Sequence, residues 1–257
     1  MMRSATCSGS HFCCFTINMA QLFRNDSKEM DEEKRRIKTG LFVAFYFLAL
    51  IWIVKLFEVG TDYKLLYQFG ILPRQTSGLI GIITAPFIHI GFIHLFNNTA
   101  PLFISIAGII YFYPKAAASI LTLVYLSTNI LVWFFARDNY HIGASGLVYG
   151  YISFLFFGSA FAKNKNMLVL ALIITFIYGA MFWGILPQGG NISWESHLFG
   201  AVSGFVFAIL FRNYAIESES KEVDDDEDDG DDSYMQDYSE GEPPVEQKEE
   251  GTTILNG

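Results

Sequence analysis

Six long apolar segments constrain this chain more than any other feature of its sequence. They cover residues 40–57, 93–112, 116–136, 145–162, 167–186 and 197–211. A helix needs about 20 predominantly apolar residues to cross a bilayer, whereas a helix of a soluble domain normally keeps a polar face. Six such segments with short polar joints predict an all-α membrane protein, folded as a six-transmembrane helical bundle.

The charged residues are concentrated at the two ends of the chain. From Glu217 onward, 17 acidic and 2 basic residues give a net charge of −15, and the remainder carries +6, which together make the −9 of the whole chain. Dense like charge with few apolar residues predicts disorder in the tail. We expect a disordered N-terminal cytoplasmic segment (1–38), a six-helix domain (39–214) and an acidic, disordered cytoplasmic tail (215–257). The tail is interpreted as a solvated extension or as a segment that binds a basic partner.

Basic residues in the joints predict the orientation of the bundle. They lie before the first segment and after the second, fourth and sixth, at Lys34, Arg35, Arg36, Lys38, Lys115, Lys163, Lys165 and Arg212. Because cytoplasmic joints carry an excess of Lys and Arg, both termini are predicted to be cytoplasmic. The even-numbered segments then begin at the outer face, and the membrane is predicted to be the cell (inner) membrane.

The longest joint, residues 58–92, lies on the predicted outer side. Its apolar stretch Leu79–Ile83 is too short to cross a bilayer and too apolar to be fully solvated. We expect this first outer loop to lie at the membrane interface, partly inserted.

All three cysteines, Cys7, Cys13 and Cys14, precede the first apolar segment. Their spacing matches no zinc motif, and no group of histidines accompanies them. Free thiols are expected here, and the prediction includes no metal, no cofactor and no nucleic-acid partner. The expected partners are the lipid bilayer and transmembrane protein substrates, and the sequence does not indicate an oligomeric state.

Four polar residues share one predicted depth in the membrane. His94 and Asn98 open the second segment, Ser145 opens the fourth and His197 opens the sixth, so all four lie toward the outer leaflet. Polar side chains inside a bilayer are costly and usually face the protein interior. Histidine can take the proton of a serine hydroxyl near neutral pH. Ser145 and His197 are therefore candidates for a nucleophile and its base.

Small residues predict that the fourth and sixth segments touch. Gly146 and Gly150 lie four apart in the fourth segment, and the sixth repeats a small residue at the same interval, at Ser196, Gly200, Gly204 and Ala208. Small residues at this spacing let helix backbones approach closely in lipid.

Each polar residue also has a structural interpretation when taken alone. Ser145 suits a helix N-cap, His197 a packed histidine, and His94 or Asn98 an interfacial position. Tyr149, one turn below Ser145, is interpreted either as stacking on His197 or as simple packing. Exposed amides at the start of the fourth helix, together with His94 and Asn98, would suit an oxyanion.

Three motifs at their proper segments resemble the rhomboid family of intramembrane serine proteases. Gly143-Ala144-Ser145-Gly146 resembles its GxSG motif, and Ser196-His197-Leu198-Phe199-Gly200, followed by Gly204, resembles its small-His-x-x-Gly span. His94-Leu95-Phe96-Asn97-Asn98 is similar to its H-x-x-x-N element. The resemblance covers roughly Tyr67 to Arg212.

The resemblance implies a Ser145–His197 dyad that cleaves a substrate's transmembrane segment near its outer end. It also implies an oxyanion hole formed by the Ser145 amide, His94 and Asn98. Many members carry a Trp-Arg pair in the first outer loop, where this chain has Ile80 and Gly81. This departure leaves open how the loop is anchored.

Two other functions are considered: a non-catalytic protein that binds client helices, and a small transporter, which should show inverted repeats or broken helices.

Overall fold

The described part of the chain forms six main helices joined by short segments. A computed structural model describes residues 11–60, 66–177, 183–187 and 193–216, with side chains from Lys28 onward. The helices of this part are α1 (His11–Gly60), α2 (Phe92–Phe112), α3 (Ala117–Phe135), α4 (Ser145–Phe161), α5 (Lys165–Ile177) and α6 (Trp194–Leu210). Short turns of helix occur at Thr76–Gly78, Gly81–Thr84, Ala85–Phe87, Trp183–Ile185 and Arg212–Tyr214. The predicted all-α class is thus confirmed for the described residues.

Three helices in the described part of the chain are long and apolar enough to cross a membrane. They are the Lys28–Gly60 part of α1, α2 and α3. Helices α4, α5 and α6 are also apolar but have 17, 13 and 17 described residues. The crossing of all six stays a prediction.

Helix α1 begins much earlier than expected. Residues 1–38 were predicted to be disordered, yet the helix runs without a break from His11 to Gly60. The charged stretch before the apolar segment contains no Gly or Pro, and its Asp31–Arg35 and Glu32–Arg36 pairs have the i,i+4 spacing that stabilises a helix. These features favour the helix that the structure shows. Cys13 and Cys14 lie where side chains are not described, and Cys7 lies outside the described residues.

The ends of two other predicted segments also differ. The fifth segment was expected over 167–186, but α5 is described only to Ile177, and Trp183–Ile185 forms a separate 3-10 turn. At the C-terminal end, the expected boundary at 215 is too early because the Ile216 amide donates to the Phe112 carbonyl, 2.9 Å away. The rest of the acidic tail, from residue 217, lies outside the described residues.

Helix α4 lies at the centre of the bundle. It contacts α2, α3, α5 and α6, and its most extensive contact is with α6. Several of its large side chains are fully buried, including Leu147, Phe154 and Leu155. Since lipid tails are as apolar as these side chains, close packing rather than expulsion of water stabilises such contacts within a bilayer.

Glycines bring the backbones of α4 and α6 into direct contact. A Cβ atom added at Gly200 would lie 2.0 Å from the Gly146 carbonyl oxygen, and one added at Gly204 would lie 2.0 Å from that of Gly150. These distances are far below van der Waals contact, so no larger residue fits. The small residues that predicted this helix pair therefore lie at the contact, where the backbone of each helix touches the backbone of the other.

A buried ion pair joins the C-terminal end of α1 to the segment before α2. Lys55 and Glu58 are both buried and lie 2.9 Å apart. The Lys55 ammonium also donates to the His89 carbonyl at 2.7 Å. A buried charge is costly without such partners, so this pair holds the backbone at His89 in place.

The joint before α2, predicted to be the first outer loop, is anchored on α3. Asn129 and Trp133 of α3 donate from their side chains to the carbonyls of Ile82 and Gln75, both at 3.0 Å. A Cβ at Gly81 would lie 2.3 Å from the Ile71 amide nitrogen. Gly81 therefore permits a close approach within the loop, and these contacts hold the loop although Ile80 and Gly81 replace the Trp-Arg pair.

Gly200→Ala should destabilise the protein strongly, because its methyl group would overlap the α4 backbone. Overpacking typically costs about 1–3 kcal/mol, and a rigid backbone neighbour places this change at the upper end. The measurement is the melting temperature of the purified protein in detergent. Gly60→Ala is the matched control, since nothing lies within 4 Å of its added Cβ. Equal melting temperatures for the two variants would contradict the close backbone contact.

Candidate active site

The structure brings the predicted serine and histidine together. Ser145 is the first residue of α4, and His197 lies in the first turn of α6. The Ser145 Oγ lies 2.9 Å from His197 Nε2. His197 is largely buried, with 8% of its surface exposed. The α4–α6 contact places these two residues within hydrogen-bonding distance.

The second ring nitrogen of His197 determines which way this hydrogen bond runs. His197 Nδ1 lies 2.9 Å from the Gly184 carbonyl oxygen, which can only accept a hydrogen bond. Nδ1 must therefore carry the proton, and Nε2 accepts from the Ser145 hydroxyl. This is the tautomer that a base needs in order to take the serine proton.

The aromatic ring of Tyr149 packs against one face of the His197 imidazole. The rings of Tyr149 and His197 are stacked, with centroids 4.2 Å apart and an angle of 13° between their planes. A Cβ added at Gly184 would lie 2.1 Å from the Tyr149 hydroxyl oxygen and 3.0 Å from His197 Nδ1. Gly184 thus allows the backbone to approach both rings. The sequence did not single out Gly184, because it was assigned to the fifth apolar segment, whereas the structure places it in the separate turn Trp183–Ile185.

The turn before Ser145 depends on Gly143. Its φ of +103° lies in the left-handed region that favours glycine. A Cβ there would also lie 2.7 Å from the His94 ring. His94 therefore packs directly against the turn that leads into Ser145.

Asn98 is linked to the same turn through a histidine that our sequence analysis left without a role. His89 is fully buried, and its Nε2 lies 3.2 Å from the Asn98 side-chain nitrogen and 3.3 Å from the Ala144 amide. Both groups donate, so Nε2 is the unprotonated acceptor. The His89 and His94 rings are also close, with centroids 5.1 Å apart. His89 lies in the joint before α2, where helical spacing cannot relate it to Asn98.

The electrostatic surroundings keep His89 neutral. Burial, and secondarily the charge of His94, lowers its pKa from 6.5 to about 3. Neutral His89 remains an acceptor for Asn98 and Ala144 throughout the physiological pH range.

Ser145 opens a helix, where unpaired amides and the helix dipole favour negative charge. The site therefore combines a serine, a base and several donors near one helix end.

The described residues contain no group of three His, Cys, Asp or Glu side chains that could hold a metal ion.

Comparison with known proteins identifies relatives that share this region. The sequence matches the Rhomboid domain family over residues 76–214. An uncharacterized protein of Mycobacterium tuberculosis is 37% identical over 178 residues, covering 64% of this chain and 72% of the relative. An uncharacterized protein of Mycobacterium leprae is 31% identical over 199 residues, covering 71% and 76%. A protein of Acanthamoeba polyphaga mimivirus, provisionally named a rhomboid protein, is 27% identical over 145 residues, covering 54% and 78%.

His89 should make stability depend on pH. The unfolded chain binds a proton near pH 6.5 that folded His89 binds only near pH 3. The stabilisation is thus complete above pH 6.5 and is lost as the pH falls toward 3, at about 1.4 kcal/mol per pH unit for one proton. We expect the melting temperature to fall over this window, and to fall less in His89→Gln, which keeps an acceptor but does not titrate. An equal fall in melting temperature between pH 6.5 and pH 3 in the two proteins would refute this assignment.

Proposed function

The chain belongs to the rhomboid family, and from this membership together with the Ser145–His197 pair we propose that it is an intramembrane serine endopeptidase. Its substrates would be membrane proteins whose transmembrane segments it cleaves near their outer ends. Membership and the three long apolar helices indicate an integral membrane protein. The single observation that carries the proposal is the 2.9 Å contact between Ser145 Oγ and His197 Nε2.

In the first step Ser145 attacks the carbonyl carbon of the scissile peptide bond. His197 Nε2 takes the hydroxyl proton as the new C–O bond forms. The resulting imidazolium keeps its Nδ1–H bond to the Gly184 carbonyl. It also lies on the face of the Tyr149 ring, and an aromatic face attracts a cation. These two contacts support His197 as the base.

The attack places a negative charge on the carbonyl oxygen. We assign its stabilisation to the Ser145 amide at the start of α4 and to the side chains of His94 and Asn98. One N–H of Asn98 is engaged by His89, which leaves the second for the oxyanion. Loss of one such donor typically lowers the rate about 10²–10³-fold.

Collapse of the intermediate breaks the C–N bond. His197 gives its proton to the leaving amine, and the acyl group stays on the Ser145 oxygen. Water then attacks this ester while His197 accepts a proton from the water, and the carboxylic acid product leaves as the Ser145 hydroxyl is restored. Neither step requires a cofactor.

The length of α4 suggests how deep in the membrane Ser145 lies. Its 17 residues extend about 25 Å, less than the roughly 30 Å hydrocarbon core. If its Phe161 end lies at the inner boundary, beside Lys163, Ser145 lies about 5 Å below the outer one. Water could reach this depth from the outer side. This arrangement assumes the predicted orientation, with both termini cytoplasmic.

The substrate would have to lose helical structure before cleavage. A peptide bond inside a helix is hydrogen-bonded and sterically covered, so substrates should carry residues of low helix propensity near the cleavage site. We propose that the substrate approaches laterally between α2 and α5. The exposed apolar end of α5, with Phe176 88% exposed, supports an approach from the lipid side.

Ser145→Ala and His197→Ala should each abolish cleavage of a labelled transmembrane substrate in liposomes. Because the nucleophile and base act as a unit, each single change is expected to lower kcat by about 10⁴-fold or more. Ser145 should also react with a serine-directed fluorophosphonate in the wild type but not in His197→Ala.

Ser119→Ala is the matched control, since this serine is exposed on α3, and it should cleave like the wild type. Undiminished cleavage in either dyad variant would remove the assigned dyad. A wild-type protein that binds the substrate helix but neither cleaves it nor reacts with the fluorophosphonate would instead support a non-catalytic client-binding protein.

A further inference from the structure

A second serine–histidine contact lies beside the first. His141, in the joint between α3 and α4, is buried, and its Nδ1 lies 2.6 Å from Ser193 Oγ at the start of α6. The two pairs have the same offset along the chain. His141 precedes Ser145 by four residues, and Ser193 precedes His197 by four, so each pair is separated by 52 positions.

The partners of His141 determine which of its ring nitrogens donates a hydrogen bond and which accepts one. Its Nε2 lies 3.0 Å from the Arg137 carbonyl, so Nε2 carries the proton and Nδ1 accepts from the Ser193 hydroxyl. Burial lowers the pKa of His141, which favours this neutral form. Ser193 Oγ in turn accepts from the Ser196 amide at 3.3 Å and lies 2.7 Å from Ser196 Oγ.

This geometry makes Ser193 a helix cap rather than a second nucleophile. Its oxygen caps the first turn of α6, a role that serine commonly fills. Its hydroxyl proton is directed to His141, which therefore fixes the orientation of the cap. The capped residue, Ser196, is the immediate neighbour of His197, and its carbonyl would lie 3.0 Å from a Cβ at Gly146.

Two further contacts attach His141 to its surroundings. Its backbone forms an isolated antiparallel bridge with Ile71, with N–O distances of 2.8 and 2.9 Å. An ion pair at 3.1 Å between Arg137 and the buried Glu195 links the same joint to the first turn of α6 a second time. The joint that leads into Ser145 is thus connected to the start of α6 by the His141–Ser193 hydrogen bond and by the Arg137–Glu195 ion pair.

We propose that His141 and Ser193 are positioning residues: their hydrogen bond sets the start of α6 and thereby the distance between Ser145 and His197. The inference rests on the proposed protease function. Because Ser193 caps α6 and His197 lies in its first turn, a shift of the start of α6 changes both serine–histidine contacts. The catalytic geometry therefore depends on a contact in which no reacting atom takes part.

The test compares variants that remove the hydrogen bond with variants that keep it. His141→Leu and Ser193→Ala remove it, whereas His141→Asn retains an acceptor near the Nδ1 position and Ser193→Thr retains the hydroxyl. We measure kcat and KM for a transmembrane substrate, the rate of fluorophosphonate labelling of Ser145, and the melting temperature of each protein.

His141→Leu and Ser193→Ala should lower kcat and the labelling rate roughly 10- to 100-fold, the loss expected from a small misplacement of reacting groups, with KM unchanged. The conservative variants should recover most of this loss. The double variant His141→Leu/Ser193→Ala should lose no more than either single variant, because both remove the same bond.

A fall in melting temperature with wild-type kcat and labelling would show a purely structural pair and overturn the proposal, as would additive losses in the double variant. If Ser145→Ala abolishes cleavage while the His141 and Ser193 variants remain fully active, only the positioning role fails. If the wild type neither cleaves nor labels, the protease function fails and the positioning role fails with it.

Discussion

Direct backbone contact between α4 and α6 is the constraint on which the rest of the site depends. With Gly200 and Gly204 against the carbonyls of Gly146 and Gly150, the two helix axes approach more closely than side chains would allow. Ser145 and His197 stand at the starts of these helices, and their short side chains can therefore meet at 2.9 Å. In a bilayer, where apolar burial does not drive helices together, such packing contributes to stability as well as to geometry.

Around this helix pair, the joints supply the remaining contacts. Gly184 accepts from His197, and His89 accepts from Asn98 and from the turn before Ser145. Lys55 of α1 holds the His89 backbone, so the helix farthest along the chain from α6 also contributes to the site. Each of these contacts fixes one polar group that would be costly to leave unpaired in an apolar environment.

Much of this arrangement could be predicted from the sequence, because apolar length and small-residue spacing act within single helices. The boundaries of α2, α3, α4 and α6 lie within three residues of those predicted. Periodicity relates residues on one helix but says nothing of residues in joints, so His89 and the His141–Ser193 contact were missed. Gly184 was missed because it was assigned to the fifth apolar segment. The early start of α1 was missed for another reason: the prediction followed the apolar segments, and the helix-favouring residues before residue 40 lie outside them.

The glycine-lined contact has a consequence for how the spacing of α4 and α6 responds to heat. A side chain at an interface can change rotamer, and its freedom is lost on packing, but glycine has no side-chain conformational entropy to lose. The spacing of α4 and α6 at this contact is therefore set by their two backbones. Thermal disorder among neighbouring side chains can alter that spacing only by bending a helix, which is a far stiffer deformation than a rotamer change.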